Sequence, residues 1–185
     1  CTMALVKISK GADIRHEYTD GVSRVPVLEG AYKDAAVERI SLQPGAELSP
    51  ALYSKTEHNQ VFLITAGKGY IATPRRVFNI TEVSVFVPDF DKEQFTFHCA
   101  ADAKECMEIV HFVTELNDYD KTCLKEAHLT LPRFRGVSQA WHYKEDFTGA
   151  DIQQMMMIEH RNLGRLSMGA NFGTGPNYIG QHIHN

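Results

Sequence analysis

The sequence predicts an all-β protein. Short runs of β-branched and aromatic residues recur along the chain, and pairs of turn-forming residues separate them. Residues 36–42, AVERISL, alternate with a period of two, as expected for a half-buried strand. Pro44 and Gly45 then form a turn pair, because proline presets φ and glycine accepts a positive φ. These observations favour antiparallel sheets built from short strands.

The next segments continue this pattern in order. Residues 61–64, VFLI, form a short apolar strand, which a glycine-bearing hairpin loop at residues 66–69 closes. Further strands are predicted at residues 77–80, 83–88, 94–99 and 106–113. Alternation in residues 94–99 turns Phe95 and Phe97 inward, and His111 alternates with apolar neighbours and lines the interior.

The middle of the chain has no strand pattern. Residues 117–127, NDYDKTCLKEA, predict one or two helical turns with Asp118 as the N-cap. We interpret residues 117–150 as a linker and crossing segment between two similar halves. The domain prediction is a first unit at residues 1–116 and the first strands of a second unit at residues 151–185.

Composition limits the classes of function. The 185 residues suffice for one well-buried domain or for one domain plus part of another. The net charge of −4 argues against nucleic acid and anionic membranes as partners. No apolar run approaches the roughly 20 residues of a membrane helix. Four cysteines without C-x-x-C spacing predict free thiols in a reducing compartment, hence a cytoplasmic location.

Residues 41–69 resemble the first motif of the cupin family, in which a glycine is followed by H-x-H, a glutamate and a second glycine. Gly45 and Gly67 match the two glycines. The metal ligands differ, since Tyr53 and Lys55 stand in the H-x-H slot and Gln60 stands in the glutamate slot. The resemblance implies a cupin-type double-stranded β-helix, or jelly roll.

Residues 82–97 resemble the second cupin motif. Pro88 matches its proline, whereas Glu82 and Phe90 replace its glycines and Glu93 replaces its histidine. The resemblance therefore implies a degenerate first-barrel pocket formed by Tyr53, Lys55, Gln60 and Glu93, with no metal ion. We expect Lys55 and Glu93 to form an ion pair there. The alternative is an anion or sugar site that uses Lys55 and Tyr53.

The last residues repeat the layout of the first motif with histidines present. A Gly/Pro turn precedes His182 and His184, which alternate on a strand and point to the same side. The resemblance implies the start of a second barrel, in which these histidines bind a divalent metal ion (Mn, Fe, Zn, Ni or Cu). The alternative interpretation is an incidental H-x-H. His58 is expected on an exposed turn.

The plan is similar to that of bicupins such as the ureidoglycine aminohydrolase-like proteins, which pair a metal-poor first barrel with a metal-bearing second. The leading hypothesis is a metal-dependent hydrolase, isomerase, lyase or oxygenase that acts on a small polar metabolite. The alternative is a non-catalytic cupin that binds a small ligand or serves as an assembly domain. Because an open jelly-roll edge invites pairing, we expect a homodimer.

Overall fold

The structure of the protein is a computed structural model that describes residues 7–126, 130–144, 151–158 and 168–173. Two 3-10 turns, Gly11–Asp13 and Val137–Gln139, accompany one helix, α1 (Asp118–Glu126). The strands are β1 (Val22–Val27), β2 (Ala35–Leu42), β3 (Glu47–Leu48), β4 (His58–Ala66), β5 (Gly69–Ala72), β6 (Val77–Ile80), β7 (Ser84–Val87), β8 (Thr96–Cys99), β9 (Met107–Glu115), β10 (Arg133–Gly136), β11 (Trp141–Lys144), β12 (Asp151–Ile158) and β13 (Met168–Gly173).

Two antiparallel sheets build the first unit. The larger has six strands in the order β1-β2-β9-β4-β7-β10, and the smaller has four in the order β3-β8-β5-β6. Strands close in sequence alternate between the two sheets, which is the double-sheet arrangement of a jelly roll. The predicted all-β jelly roll is confirmed. A third sheet, β11-β12-β13, is separate from both.

The register of the larger sheet decides which side chains enter the barrel. His111 on β9 lies opposite Glu38 on β2 and opposite Phe62 on β4. Residues directly opposite each other on antiparallel strands point to the same face, so these three side chains share the concave face. The prediction that His111 lines the interior is confirmed.

An aromatic cluster fills the space between the two sheets. Phe62, Phe86, Phe95 and Phe97 are all buried. The ring centroids of Phe62 and Phe97 are 4.9 Å apart, and those of Phe86 and Phe95 are 5.2 Å apart. Such pairs contribute about 0.5–1.5 kcal/mol each beyond their area burial. The inward orientation predicted for Phe95 and Phe97 is confirmed.

The outer face of the larger sheet carries a second apolar cluster. Val61, Val85 and Val87 are buried there together with Phe90, and Leu124 of α1 packs against them. The helix thus covers one part of the convex face. This cluster explains why residues 61–64 and 84–87 read as continuous apolar runs, since both faces of β4 and β7 are covered.

The start of α1 differs from the prediction in its capping residue. The backbone N–H of Asp120 donates to Asn117 Oδ1 at 2.8 Å, and the N–H of Asn117 donates to Asp120 Oδ2 at 3.0 Å. This reciprocal pair makes Asn117 the N-cap instead of Asp118. The segment predicted as linker and crossing also contributes β10, which pairs with β7 and extends the larger sheet. Within the described residues, no helix combines the length and apolarity needed to cross a membrane.

Gly45, Gly67 and Phe90 share a left-handed backbone conformation. Gly45 and Gly67 have φ values of +83° and +90°, which glycine adopts without a Cβ penalty. A Cβ on Gly67 would lie 2.5 Å from the Cα of Met107. Phe90, which replaces a glycine of the second motif, also has a positive φ of +48°. Its buried side chain joins the outer cluster.

Candidate functional site

A chain of four polar side chains crosses the concave face at one end of the barrel. The chain passes through β1, β2, β9 and β4, which are consecutive neighbours in the larger sheet. Arg24 Nη2 donates to Glu38 Oε1 at 2.6 Å. The same carboxyl oxygen lies 2.8 Å from His111 Nδ1, and His111 Nε2 lies 2.9 Å from Gln60 Oε1. We call this set the polar chain.

The amide of Gln60 sets the hydrogen bonds of His111. Gln60 Nε2 donates to the carbonyl oxygen of Ala51 at 3.0 Å, so its Oε1 faces His111. Both ring nitrogens of His111 therefore face side-chain oxygens, which fixes the orientation of the ring. The ring also stacks on Phe62, with centroids 4.1 Å apart and planes 5° apart. His111 is thus held on three sides and is 4% exposed.

Glu38 is the residue of the polar chain whose pKa is most strongly shifted. Burial by itself raises the pKa of a carboxyl group, because it disfavours the charged form. In Glu38, hydrogen bonds from His111 and Arg24, together with their charges, outweigh burial and lower its pKa from 4.5 to about 2. The carboxylate is therefore ionised at neutral pH and anchors both Arg24 and His111.

An open cavity of about 410 Å³ lies beside the polar chain. Arg24, Glu38 and His111 form one wall, and Tyr53 and His58 form another. Its remaining walls are mainly apolar, from Pro26, Ala36, Val37 and Val113. Cavities of this size, with apolar walls and a few converging polar groups, are the usual form of a small-molecule site. We call this cavity the barrel mouth.

His58 belongs to the barrel mouth and does not lie on an exposed turn, so that prediction was wrong. It is the first residue of β4, is partly buried, and packs on Tyr53 with ring centroids 5.0 Å apart. Its Nδ1 is buried and has no hydrogen-bond partner within the described residues. A polar atom in this state costs roughly 1–3 kcal/mol. His58 also lines a second, adjoining cavity of about 160 Å³, together with Ala36 and Val113.

The four residues of the predicted degenerate pocket have separate contacts. Tyr53 lines the barrel mouth, and Gln60 is buried in the polar chain. Lys55 is exposed and lines another depression, beside Asp89 and Phe90. Glu93 pairs with Arg75 at 3.0 Å rather than with Lys55. The predicted Lys55–Glu93 ion pair is therefore wrong, because an arginine on the neighbouring loop reaches the carboxylate.

Three of the four residues in the first-barrel ligand slots are engaged with other side chains of the protein. The oxygen of Gln60 accepts from His111, Glu93 is paired with Arg75, and Tyr53 packs on His58. Among the residues that the structure describes, no three His, Cys, Asp or Glu side chains are grouped as metal ligands. The other predicted ligands, His182 and His184, lie outside the described residues.

Sequence reasoning missed Arg24 and Glu38 as members of a site. Glu38 did carry a signal, because it occupies an inward position of an alternating strand, two residues from the buried Ile40. A carboxylate at such a position requires a partner. Arg24 had no comparable signal, since only the register of β1 against β2 brings it to Glu38.

Comparisons with known proteins bear on the fold. No protein-family model and no curated protein matches the chain. The solved structure of KdgF from Halomonas sp. is similar with a TM-score of 0.50 and 11% identity, over 62% of this chain and 98% of that one. A predicted oxalate decarboxylase from Thermotoga maritima has a TM-score of 0.49 and 17% identity, over 60% of this chain and 100% of that one. An RmlC-like cupin from Shewanella frigidimarina has a TM-score of 0.46 and 16% identity, over 63% and 98% respectively. At these identities the likeness concerns the fold alone, a double-sheet jelly roll.

Proposed function

We propose that this chain is a cupin-superfamily protein whose first barrel binds a small polar molecule at the barrel mouth without a metal ion. One observation carries the proposal. Glu38 is the carboxylate of the polar chain, and its pKa is lowered to about 2. It lines an open cavity of about 410 Å³ whose other walls are largely apolar. Perturbed ionisable groups in a concave, mostly apolar cavity are characteristic of binding sites.

The polar chain positions this site and does not react in it. Both nitrogens of His111 are already hydrogen-bonded, and Glu38 is shared by Arg24 and His111. The groups left to meet a ligand are the hydroxyl of Tyr53, the ring of His58 and the exposed guanidinium of Arg24. These are hydrogen-bond donors beside apolar walls, which suits a small metabolite with polar oxygens and an apolar edge.

A ligand screen on paired tryptophan variants tests the proposal. Ala36 is exposed on the rim of the barrel mouth, so Ala36→Trp fills the cavity without entering the core. Ala101→Trp places the same side chain at an exposed position that does not line this cavity. We expect saturation-transfer NMR with small sugars, hydroxy acids and ureido compounds to find ligands for wild type and Ala101→Trp that Ala36→Trp no longer binds.

Loss of a hydrogen-bonding group provides the second arm of this test. We expect His58→Ala to weaken a ligand found in the screen by about tenfold, the value of one good hydrogen bond. His98→Ala is the matched control, because His98 stacks on Tyr70 in the smaller sheet, with centroids 4.5 Å apart. Equal binding to wild type and Ala36→Trp would reject the barrel mouth as the site.

A second proposal places metal-dependent chemistry in a second barrel, as in a bicupin. It is favoured by the separate sheet β11-β12-β13, whose strands pair only with one another within the described residues. There His182 and His184 would hold a divalent ion, Mn, Fe, Zn, Ni or Cu, that supplies Lewis-acid or redox chemistry. We expect His182→Ala and His184→Ala to strip metal from the full-length protein, with His58→Ala as the unaffected control. Unchanged metal content in both variants would make the H-x-H incidental.

Assembly and location are part of the same proposal. We propose a homodimer in the cytoplasm, and the three described cysteines Cys99, Cys106 and Cys123 are all free thiols, as a reducing compartment favours. Light scattering at tens of micromolar checks the dimer, since a micromolar interface is filled at about that concentration. A clean monomer would contradict it.

A further inference from the structure

A basic groove lies where the edges of the two sheets meet. β10 is the last strand of the larger sheet and β6 is the last strand of the smaller one. The groove between them encloses about 630 Å³. Its walls include three arginines, two phenylalanines and a glutamine: Arg76, Arg133, Arg135, Phe78, Phe134 and Gln139. It shares no lining residue with the barrel mouth.

The three arginines reach this groove from both sheets. Arg133 and Arg135 leave β10 on the side opposite to Phe134, and all three line the groove because β10 is an edge strand. Arg76 precedes β6, and its guanidinium lies 5.6 Å from the ring centroid of Phe78. A guanidinium presents a planar fork of donors that matches carboxylate and phosphate oxygens.

The aromatic rings give the groove an apolar floor. The centroids of Phe78 and Phe134 are 5.4 Å apart, and Phe78 also contacts the buried Phe86 at 5.7 Å. Phe78 and Phe134 are only partly buried, so part of each ring remains accessible. Their contact with the core keeps them in place, which provides a preformed flat surface for a planar or apolar group.

The local charge of the groove is opposite to that of the whole chain. The chain carries a net charge of −4, yet none of the described residues that line the groove is a carboxylate. Within the described residues, neither Arg76 nor Arg135 takes part in an ion pair. Two cations that line one concave site concentrate a positive field there.

We propose that this groove is a second ligand site, specific for a small organic oxyanion that joins a phosphate or carboxylate group to a flat apolar body. Arg76 and Arg135 bind the anionic group, and Phe78 and Phe134 contact the flat body. The volume of the groove lies within the range of small-molecule sites, about 300–1,000 Å³. This site is independent of the ligand proposed for the barrel mouth.

Phenyl phosphate is a suitable probe, because it carries two negative charges near neutral pH and one aromatic ring. We expect isothermal titration calorimetry on the full chain to detect saturable binding of phenyl phosphate that weakens at high salt, as screened charges require. Inorganic phosphate should bind about tenfold more weakly, because it cannot contact the rings, and benzyl alcohol should not bind measurably.

Two neighbouring arginines provide a matched pair of variants. Arg76→Gln removes a groove cation, whereas Arg75→Gln removes the adjacent cation that pairs with Glu93 and does not line the groove. We expect Arg76→Gln and Arg135→Gln each to weaken phenyl phosphate by about tenfold, which corresponds to one charged hydrogen bond. Arg75→Gln and the barrel-mouth variant Ala36→Trp should bind as wild type does.

Three outcomes would overturn the proposal. The first is an absence of phenyl phosphate binding at about 10 mM, well above the affinity expected of such a site. The second is equal weakening by Arg75→Gln and Arg76→Gln, which would indicate a general effect of charge. The third is equal affinity for phosphate and phenyl phosphate, which would exclude the rings. All four variants replace exposed or partly exposed residues, and their melting curves verify that each is folded.

Discussion

The concave face of the larger sheet has two halves that differ in chemistry although they belong to one sheet and meet on β4. In the aromatic half, Phe62 and Phe86 pack with the rings of the smaller sheet, and no side-chain hydrogen bond is needed. In the polar half, His111 and Gln60 are nearly as buried and Glu38 is partly buried, but each depends on a partner. The two halves meet where His111 stacks on Phe62 at 4.1 Å.

This difference separates two physical roles of a buried side chain. Aromatic burial is non-directional, so the aromatic half tolerates small shifts and supplies stability. A polar chain is directional, and each member left without its partner incurs the full cost of desolvation. The polar half therefore fixes one register and shapes the barrel mouth. Variants that disturb one half at a time test this division.

The largest expected effect is in the aromatic half. Phe62→Ala removes the ring shared by Phe86, Phe95, Phe97 and His111 and leaves a cavity. We expect it to lower the free energy of unfolding by about 3–5 kcal/mol, measured by urea denaturation. Phe62→Leu, which keeps most of the volume, should cost clearly less. Similar losses for both would show that packing does not dominate this half.

The next effect concerns the centre of the polar half. His111→Leu introduces an apolar side chain of similar size and leaves Glu38 and Gln60 without their shared partner. We expect a loss of about 2–3 kcal/mol. In the double variant with Glu38→Leu, part of this loss should be recovered, because the carboxylate that lost its His111 hydrogen bond is gone. Strictly additive losses would contradict a coupled chain.

The pH dependence of stability reports Glu38 directly. Because its folded-state pKa is lowered from 4.5 to about 2, its contribution is complete above pH 4.5 and is lost as the pH falls towards 2. We expect roughly 1–3 kcal/mol of the acid-side loss to come from this group. Glu38→Gln should flatten the profile between these pH values, whereas Glu47→Gln, at an exposed carboxyl, should not. Identical profiles for wild type and Glu38→Gln would refute the assignment.

The smallest effect tests the outer face, as a reference for both halves. Phe90→Ala and Phe90→Gly both remove the buried ring, but only glycine relieves the backbone at φ +48°. We expect the glycine variant to be more stable than the alanine variant by about 1 kcal/mol. Thermal melting of the two variants measures the difference. An alanine variant at least as stable as the glycine variant would show that this position carries no backbone strain.

Much of the fold could be predicted from local patterns. Alternation in residues 36–42 and 106–113 marks β2 and β9, and the turn at Gly45 and the hairpin at Gly67 are visible as residue types. The inward orientation of Phe95, Phe97 and His111 also follows from a period of two. These features depend on a few adjacent residues, so the sequence alone carries them.

The candidate sites required the tertiary structure. Glu38 and His111 are separated by 73 residues and His111 and Gln60 by 51, and they meet only because β9 lies between β2 and β4. Motif spacing instead grouped Gln60 with Lys55 and Glu93, because it assumed that ligand slots keep their neighbours after the ligands are lost. The basic groove similarly depends on the approach of β6 and β10. Periodicity states which face a side chain occupies, but strand order and register decide which other side chains share that face.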